Sequence, residues 1–171
     1  MTPRSRLLLA FVLAPSLVGC AEEDEGYCDG QESWRAEWVA YEDEVLTIVN
    51  QHRAQGATCD GEVFAPSEPL SANVDLRCAA RNHSADMAIR SYFSHDTPEG
   101  ENFSDRVAKT DYAGFAQGEN IAYGYASPTE VMTGWMASPG HCRNIMNPDH
   151  TQIGIGHYGE GLYWTQVMGR E

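Results

Sequence analysis

The stretch Gly118-Glu119-Asn120-Ile121-Ala122-Tyr123-Gly124 decides how this chain is read, with Ser127-Pro128-Thr129-Glu130 and Trp135-Met136-Ala137-Ser138-Pro139-Gly140-His141-Cys142 close behind it. Ser127 and Glu130 have the spacing of a capping box, in which each side chain satisfies a backbone N–H at a helix start. Pro128 falls at the first helical position, where its missing N–H removes no hydrogen bond. A helix therefore begins there, with Val131, Gly134 and Trp135 on one face. Ser138-Pro139 repeats the start signal, which predicts a second, short helix with His141 in its first turn. Unpaired N–H groups and partial positive charge at such a start can hold an anion or tune an imidazole.

Asn120 to Tyr123, just ahead of these helices, reads as a strand. Downstream, Gln152 to Tyr158 alternates with Ile153, Ile155 and His157 on one side, and Leu162 to Met168 is rich in β-formers. Gly159-Glu160-Gly161 between them predicts a hairpin. Upstream, Trp38, Tyr41, Val45, Ile48, Val49 and His52 recur at helical spacing between Trp34 and Ala54, and Gly56 stops the pattern. Residues 57–69, with Gly61, Pro66 and Pro69, read as loop. Asn73 is placed to cap a helix running to Tyr92, whose small residues imply close packing, and Phe103 to Lys109 reads as a short helix. Helices first and antiparallel strands later predict an α+β domain.

At the N-terminus, Arg4 and Arg6 precede an apolar run from Leu7 to Val18, the pattern of a secretory signal peptide. Leu17-Val18-Gly19-Cys20 looks like a lipobox, with Cys20 the acylated first residue of the mature chain. The expected organisation is a leader over residues 1–19, an acidic tether over 20–33 and one domain over 34–171. The mature chain carries nine Lys and Arg against 25 Asp and Glu, a formal charge of −16. Such a charge excludes nucleic acid as a natural partner. The partner it does imply is a membrane, held through the Cys20 acyl chains rather than by charge, and the protein is expected to be a monomer in the cell envelope, at the outer membrane or cell surface. Cys28, Cys59, Cys78 and Cys142 remain, an even set that predicts two disulfides in an exported protein. Three pairings are open. Cys59 with Cys78 is favoured because they bracket a turn-rich loop leading into a helix, which leaves Cys28 with Cys142.

Taken together, several pieces resemble the CAP superfamily, also called the SCP or cysteine-rich secretory protein, antigen 5 and pathogenesis-related-1 fold. They are Asn50 and Arg53, His83-Ser84-Ala85-Asp86-Met87, Phe93-Ser94-His95, Asp105-Arg106, Gly118 to Ala122, Trp135 to His141, Asn144-Ile145-Met146, Gly154-Ile155-Gly156 and Tyr163-Trp164-Thr165-Gln166, in unbroken order. The resemblance implies an α-β-α sandwich, with a three-stranded antiparallel sheet between helix layers and a cleft on one side. Many eukaryotic members line that cleft with two histidines and two glutamates able to hold a divalent ion. Here His95 matches the first histidine and Glu119 the first glutamate, while Ser138 and Tyr163 stand where the second glutamate and second histidine are usual. The resemblance offers His141 as a substitute from another part of the chain.

The candidate cleft residues are therefore His95, Glu119, His141, Ser138 and Tyr163. One function is an envelope binding module for a lipid, peptide or wall-derived ligand. The alternative is a zinc-assisted, peptidase-like hydrolase in which His95, His141 and Glu119 are ligands or catalytic groups, two imidazoles and a carboxylate being the usual set for an open zinc site. Glu119 has a second reading, as a buried partner of Arg106. His83 reads as a core histidine, His150 and His157 as loop and strand-end residues, and Trp135 and Trp164 by default as core. Neither a His-Glu-x-x-His helix nor a Gly-x-Ser-x-Gly elbow is present.

Overall fold

The computed structural model describes residues 26–171, so the leader, Cys20 and the first part of the tether lie outside the described residues. A 3₁₀ turn (Gln31–Ser33) leads into α1 (Ala36–Gln55), followed by β1 (Ala57–Cys59), β2 (Glu62–Phe64), β3 (Ser71–Ala72) and α2 (Val74–Ile89). Then come α3 (Phe103–Val107), β4 (Phe115–Tyr123), α4 (Pro128–Ala137), α5 (Pro139–Met146), β5 (Gln152–Tyr158) and β6 (Tyr163–Arg170). Among the described residues no helix is long and apolar enough to cross a membrane.

The helices begin where expected, α3 gains a cap that was not expected, and two of the expected caps differ in detail. Asn73 Oδ1 accepts from the N–H groups of Asp75 and Leu76 at 2.9 and 3.0 Å, and Asn102 with Asp105 closes a capping box on α3. Ser127 Oγ accepts from Glu130 N–H at 3.3 Å, but the Glu130 carboxylate reaches back to Ala126 N–H rather than to Ser127. Ser138 precedes α5 without using its hydroxyl as a cap.

The sheet has the order β3-β5-β6-β4. β5, β6 and β4 form the expected antiparallel trio, and β3 adds a short parallel fourth strand at the β5 edge. Residues 57–69 are not all loop. Asp60 (φ 50°) and Gly61 (φ 84°) both take left-handed backbone, the pairing that a two-residue hairpin turn requires, and they fold β1 onto β2. The Asp-Gly dipeptide is the sequence signal for this hairpin.

Helices cover both faces of the sheet. On one, Leu76, Ala79 and Ala80 of α2 and Val107 of α3 pack on Val167. On the other, Val45 and Val49 of α1, Trp135 of α4 and Ile145 of α5 close over Ile153, Ile155 and Trp164. Strand alternation produces this division, since successive side chains of β5 point to opposite faces. Ile153 and Ile155 serve one core, whereas Gly154 and Gly156 let α2 lie directly on the sheet. A Cβ at Gly154 would sit 2.0 Å from the Leu76 carbonyl carbon, and one at Gly156 would sit 2.3 Å from the Arg81 nitrogen. Gly154→Ala is expected to lower unfolding free energy by about 1–3 kcal/mol through overpacking, measurable by urea titration. An unchanged midpoint would show that α2 can lift off the sheet freely.

The stripe on α1 contains two buried charges. Glu42 takes three bonds from the Arg81 guanidinium on α2. Arg53 donates to the carbonyls of Glu68, Ile145, Asn147 and His150, tying the loops around α5 to one side chain.

The disulfide pairing corrects the expectation. Cys28 bonds Cys78, and Cys59 bonds Cys142, with Cα separations of 5.6 and 5.7 Å. Cys59 lies on the β1-β2 hairpin beside α5, while Cys78 lies on α2 across the sheet, so closeness in sequence does not bring them together. The first bridge also ties the chain ahead of residue 34 to α2. Tyr27 C=O accepts from Asn82 Nδ2 at 2.6 Å and Gln31 Nε2 donates to Asn82 Oδ1, so residues 27–33 are fastened to α2.

Candidate functional site

Two neighbouring residues of β4 organise the site. Glu119 points into the layer of α2 and α3, and Asn120 points into the layer of α5. Glu119 is buried, with Oε2 2.5 Å from Arg106 Nη2 and Oε1 2.8 Å from His95 Nδ1. Arg106 also donates through Nη1 to the carbonyls of His95 and Glu101, both at 2.9 Å. One guanidinium thus holds both the backbone of His95 and the carboxylate that orients its ring. On the other face, Asn120 Nδ2 donates to His141 C=O at 3.3 Å, and Asn144 Nδ2 donates to Asn120 Oδ1 at 2.9 Å. That contact seats the first turn of α5 against the strand. Adjacent residues therefore hold the two helix layers, and a histidine from each layer, to one sheet edge.

Between the layers, along the outer side of β4, runs an open cleft of about 600 Å³. Its polar groups include Ser94, His95, Ser138 and His141, and its walls include Phe93, Tyr125 and Trp135. With Nδ1 turned to Glu119, His95 leaves Nε2 available on a half-exposed ring. The Glu119 hydrogen bond raises the His95 pKa above the ordinary imidazole value and outweighs partial burial. His141 is shifted the other way, by burial first and by the neighbouring charge of His95 second.

The five expected cleft residues are thus divided. His95, Ser138 and His141 line the cleft; Glu119 lies beneath His95; Tyr163 backs Tyr123, with ring centroids 4.7 Å apart. Tyr123 and Tyr125 were missed as wall residues, because their position depends on the bend at Gly124 (φ 86°) and on α4 folding back. Trp164 is fully buried, and its indole N–H holds Tyr125 C=O at 2.9 Å. His83 is buried in α2 with Nε2 on Ser94 C=O, so it supports the segment carrying His95.

The expected zinc set is not assembled. Both Glu119 oxygens are engaged, one by Arg106 and one by His95, so the carboxylate offers no free oxygen as a third ligand beside the two imidazoles. Among the described residues no three His, Cys, Asp or Glu side chains gather so as to hold a metal ion. The donor set therefore does not fit a three-ligand zinc site.

A model of the cysteine-rich secretory protein (CAP) family matches residues 46–168, which include α2, β4, both helices of the cleft and the terminal hairpin. The chain belongs to this family. The CAP domain is 35% identical over 127 residues to YkwD of Bacillus subtilis (strain 168), itself uncharacterized, covering 74% of this chain and 46% of that protein. It thus spans less than half the length of that curated relative. Among solved structures, an extracellular SCP-domain protein from Bacillus anthracis str. Ames superposes with a TM-score of 0.67 at 27% identity, over 78% of this chain and 41% of the other. An outer surface protein of Borrelia burgdorferi superposes with a TM-score of 0.58 over 75% and 93% of the two chains. At 18% identity that second likeness concerns the fold alone.

Proposed function

We propose that this CAP domain is an exported binding module, lipid-anchored through Cys20, whose ligand enters the cleft between His95 and His141. The observation that carries the reading is the pair of imidazoles presented from opposite layers into one cleft, with His95 held in place by Glu119 and Arg106. A volume of about 600 Å³, aromatic walls and a few converging polar groups are what ligand sites commonly offer. The description of the Bacillus anthracis neighbour as extracellular supports export, as does the leader pattern of residues 1–19. The engagement of Glu119 by Arg106 favours binding over zinc-assisted hydrolysis.

The test uses residues 21–171, which contain the whole described domain, titrated by calorimetry with three probes. These are muramidase-released wall fragments, vesicles of phosphatidylglycerol and phosphatidylethanolamine, and short peptides. One class should bind, and His141→Phe, which removes the imidazole nitrogens from the cleft, should weaken it by at least about tenfold, equivalent to about 1.4 kcal/mol. Binding indifferent to His141→Phe, or none by any class, would overturn the reading.

A further inference from the structure

β4 is an edge strand, and its ladder phase shows which backbone groups face the cleft. Gly124 N–H donates to Leu162 C=O at 3.0 Å, so even-numbered residues of this stretch turn their backbone groups toward β6. Odd-numbered residues turn theirs outward. The Glu119 carbonyl accepts from Asn144 Nδ2 and the Ile121 carbonyl from Trp135 Nε1, both at 3.2 Å. Side chains of α5 and α4 therefore cap two carbonyls of the outer edge. Among the described residues nothing pairs with Ile121 N–H, Tyr123 N–H or Tyr123 C=O. All three lie on the stretch of β4 that lines the cleft. A sheet edge left open in this way is a template for another strand.

Resting on the binding role proposed above, we infer that the free edge of β4 at Ile121 to Tyr123 takes an extended peptide as an added strand, flanked by His95 and His141. Run antiparallel, one ligand residue exchanges both hydrogen bonds with Tyr123, and the residue two along accepts from Ile121 N–H. Ligand side chains then alternate between the wall carrying Phe93 and His95 and the wall carrying Ser138 and His141. The Ser138 hydroxyl, which does not cap α5, is available to them. An acyl chain fills an apolar cleft but offers nothing to the two N–H groups. A second copy of the domain is a poor occupant, because the edge lies at the floor of a cleft whose walls admit a strand more readily than another folded sheet.

The test probe is a positional-scanning library of N-acetylated hexapeptide amides, read by fluorescence anisotropy on residues 21–171. The best peptide should bind with Kd below about 1 mM, and N-methylation of the amide that meets Tyr123 C=O should weaken it at least about tenfold. Ile121 and Tyr123 amides should exchange more slowly with solvent when it is bound, while Gly124, already paired with β6, changes little. Any of three results would overturn the inference: no library member binding, an N-methylated peptide binding equally well, or unprotected Ile121 and Tyr123 amides. If lipid vesicles or wall fragments bind and respond to His141→Phe while peptides fail, the strand inference falls and the cleft reading stands. If nothing responds to His141→Phe, both fall. Concentration-dependent dimerisation that protects Ile121 without peptide would assign the edge to a second copy instead.

Discussion

Replacing Arg106 by methionine should destabilise the domain by about 3–5 kcal/mol, because it leaves the Glu119 carboxylate buried without its charge partner. The two side chains are 4% and 1% exposed, so solvent cannot take over the role of the guanidinium. For a domain of this size the loss corresponds to a fall in Tm of roughly 10 °C or more. The carbonyls of His95 and Glu101 lose their donor in the same step, loosening the loop that carries His95. Adding Glu119→Gln should recover part of the stability, since an amide is far less costly to bury than an unpaired charge. It should also bring the His95 pKa down, because the Glu119 hydrogen bond is the main cause of its elevation, whereas the loss of Arg106 alone does not lower it. Thermal melts of the single and double variants, with NMR titration of His95, separate the two effects. A single variant melting with the wild type would show that the pair adds nothing to stability.

Acidification should cost the domain about 5 kcal/mol between pH 7 and pH 4.5 through two buried histidines, His83 and His157. Burial holds both down to about 4. Their side chains have other tasks as neutral rings: His83 Nε2 donates to Ser94 C=O, while His157 stacks on Trp164 at 3.7 Å and bonds Tyr163 C=O. Below the ordinary imidazole pKa of about 6.5 the unfolded chain takes up protons that the folded chain refuses. Stability therefore falls as pH drops from about 6.5 toward 4, and these two groups contribute no slope well above 6.5. His95, with its raised pKa, has the opposite sign: its contribution is present below about 6.5 and is lost as pH rises through its folded value. Urea unfolding at pH 7 and pH 4.5 checks this, alongside His83→Gln and His157→Gln. Each variant should lose about half of the pH dependence, whatever its own stability at pH 7. An undiminished slope in both would assign acid sensitivity to other groups.

The terminal hairpin, the helix starts at Asn73, Ser127 and Ser138, and the α+β arrangement were all legible from the amino-acid order. Caps, turn residues and period-two alternation act over a few residues, so they survive translation into a string. The Asp60-Gly61 turn belongs to this class, though the glycines and prolines around it make the whole segment look like loop. The hydrogen-bonding of Ser138 was not legible, because a capping residue and an idle hydroxyl have the same sequence.

Tertiary structure alone decided which distant groups meet. Cys59 and Cys78 are separated by the sheet, and Cys59 and Cys142 are joined across 83 residues of chain, because layer membership overrides proximity along the sequence. Glu119 and Asn120, adjacent in the chain, serve opposite layers because a strand alternates its side chains. That alternation sets Glu119 beside Arg106 and His95, the second of the two roles its sequence left open. The strand order, in turn, leaves the outer edge of β4, a backbone feature that no residue type announces, as the floor of the cleft.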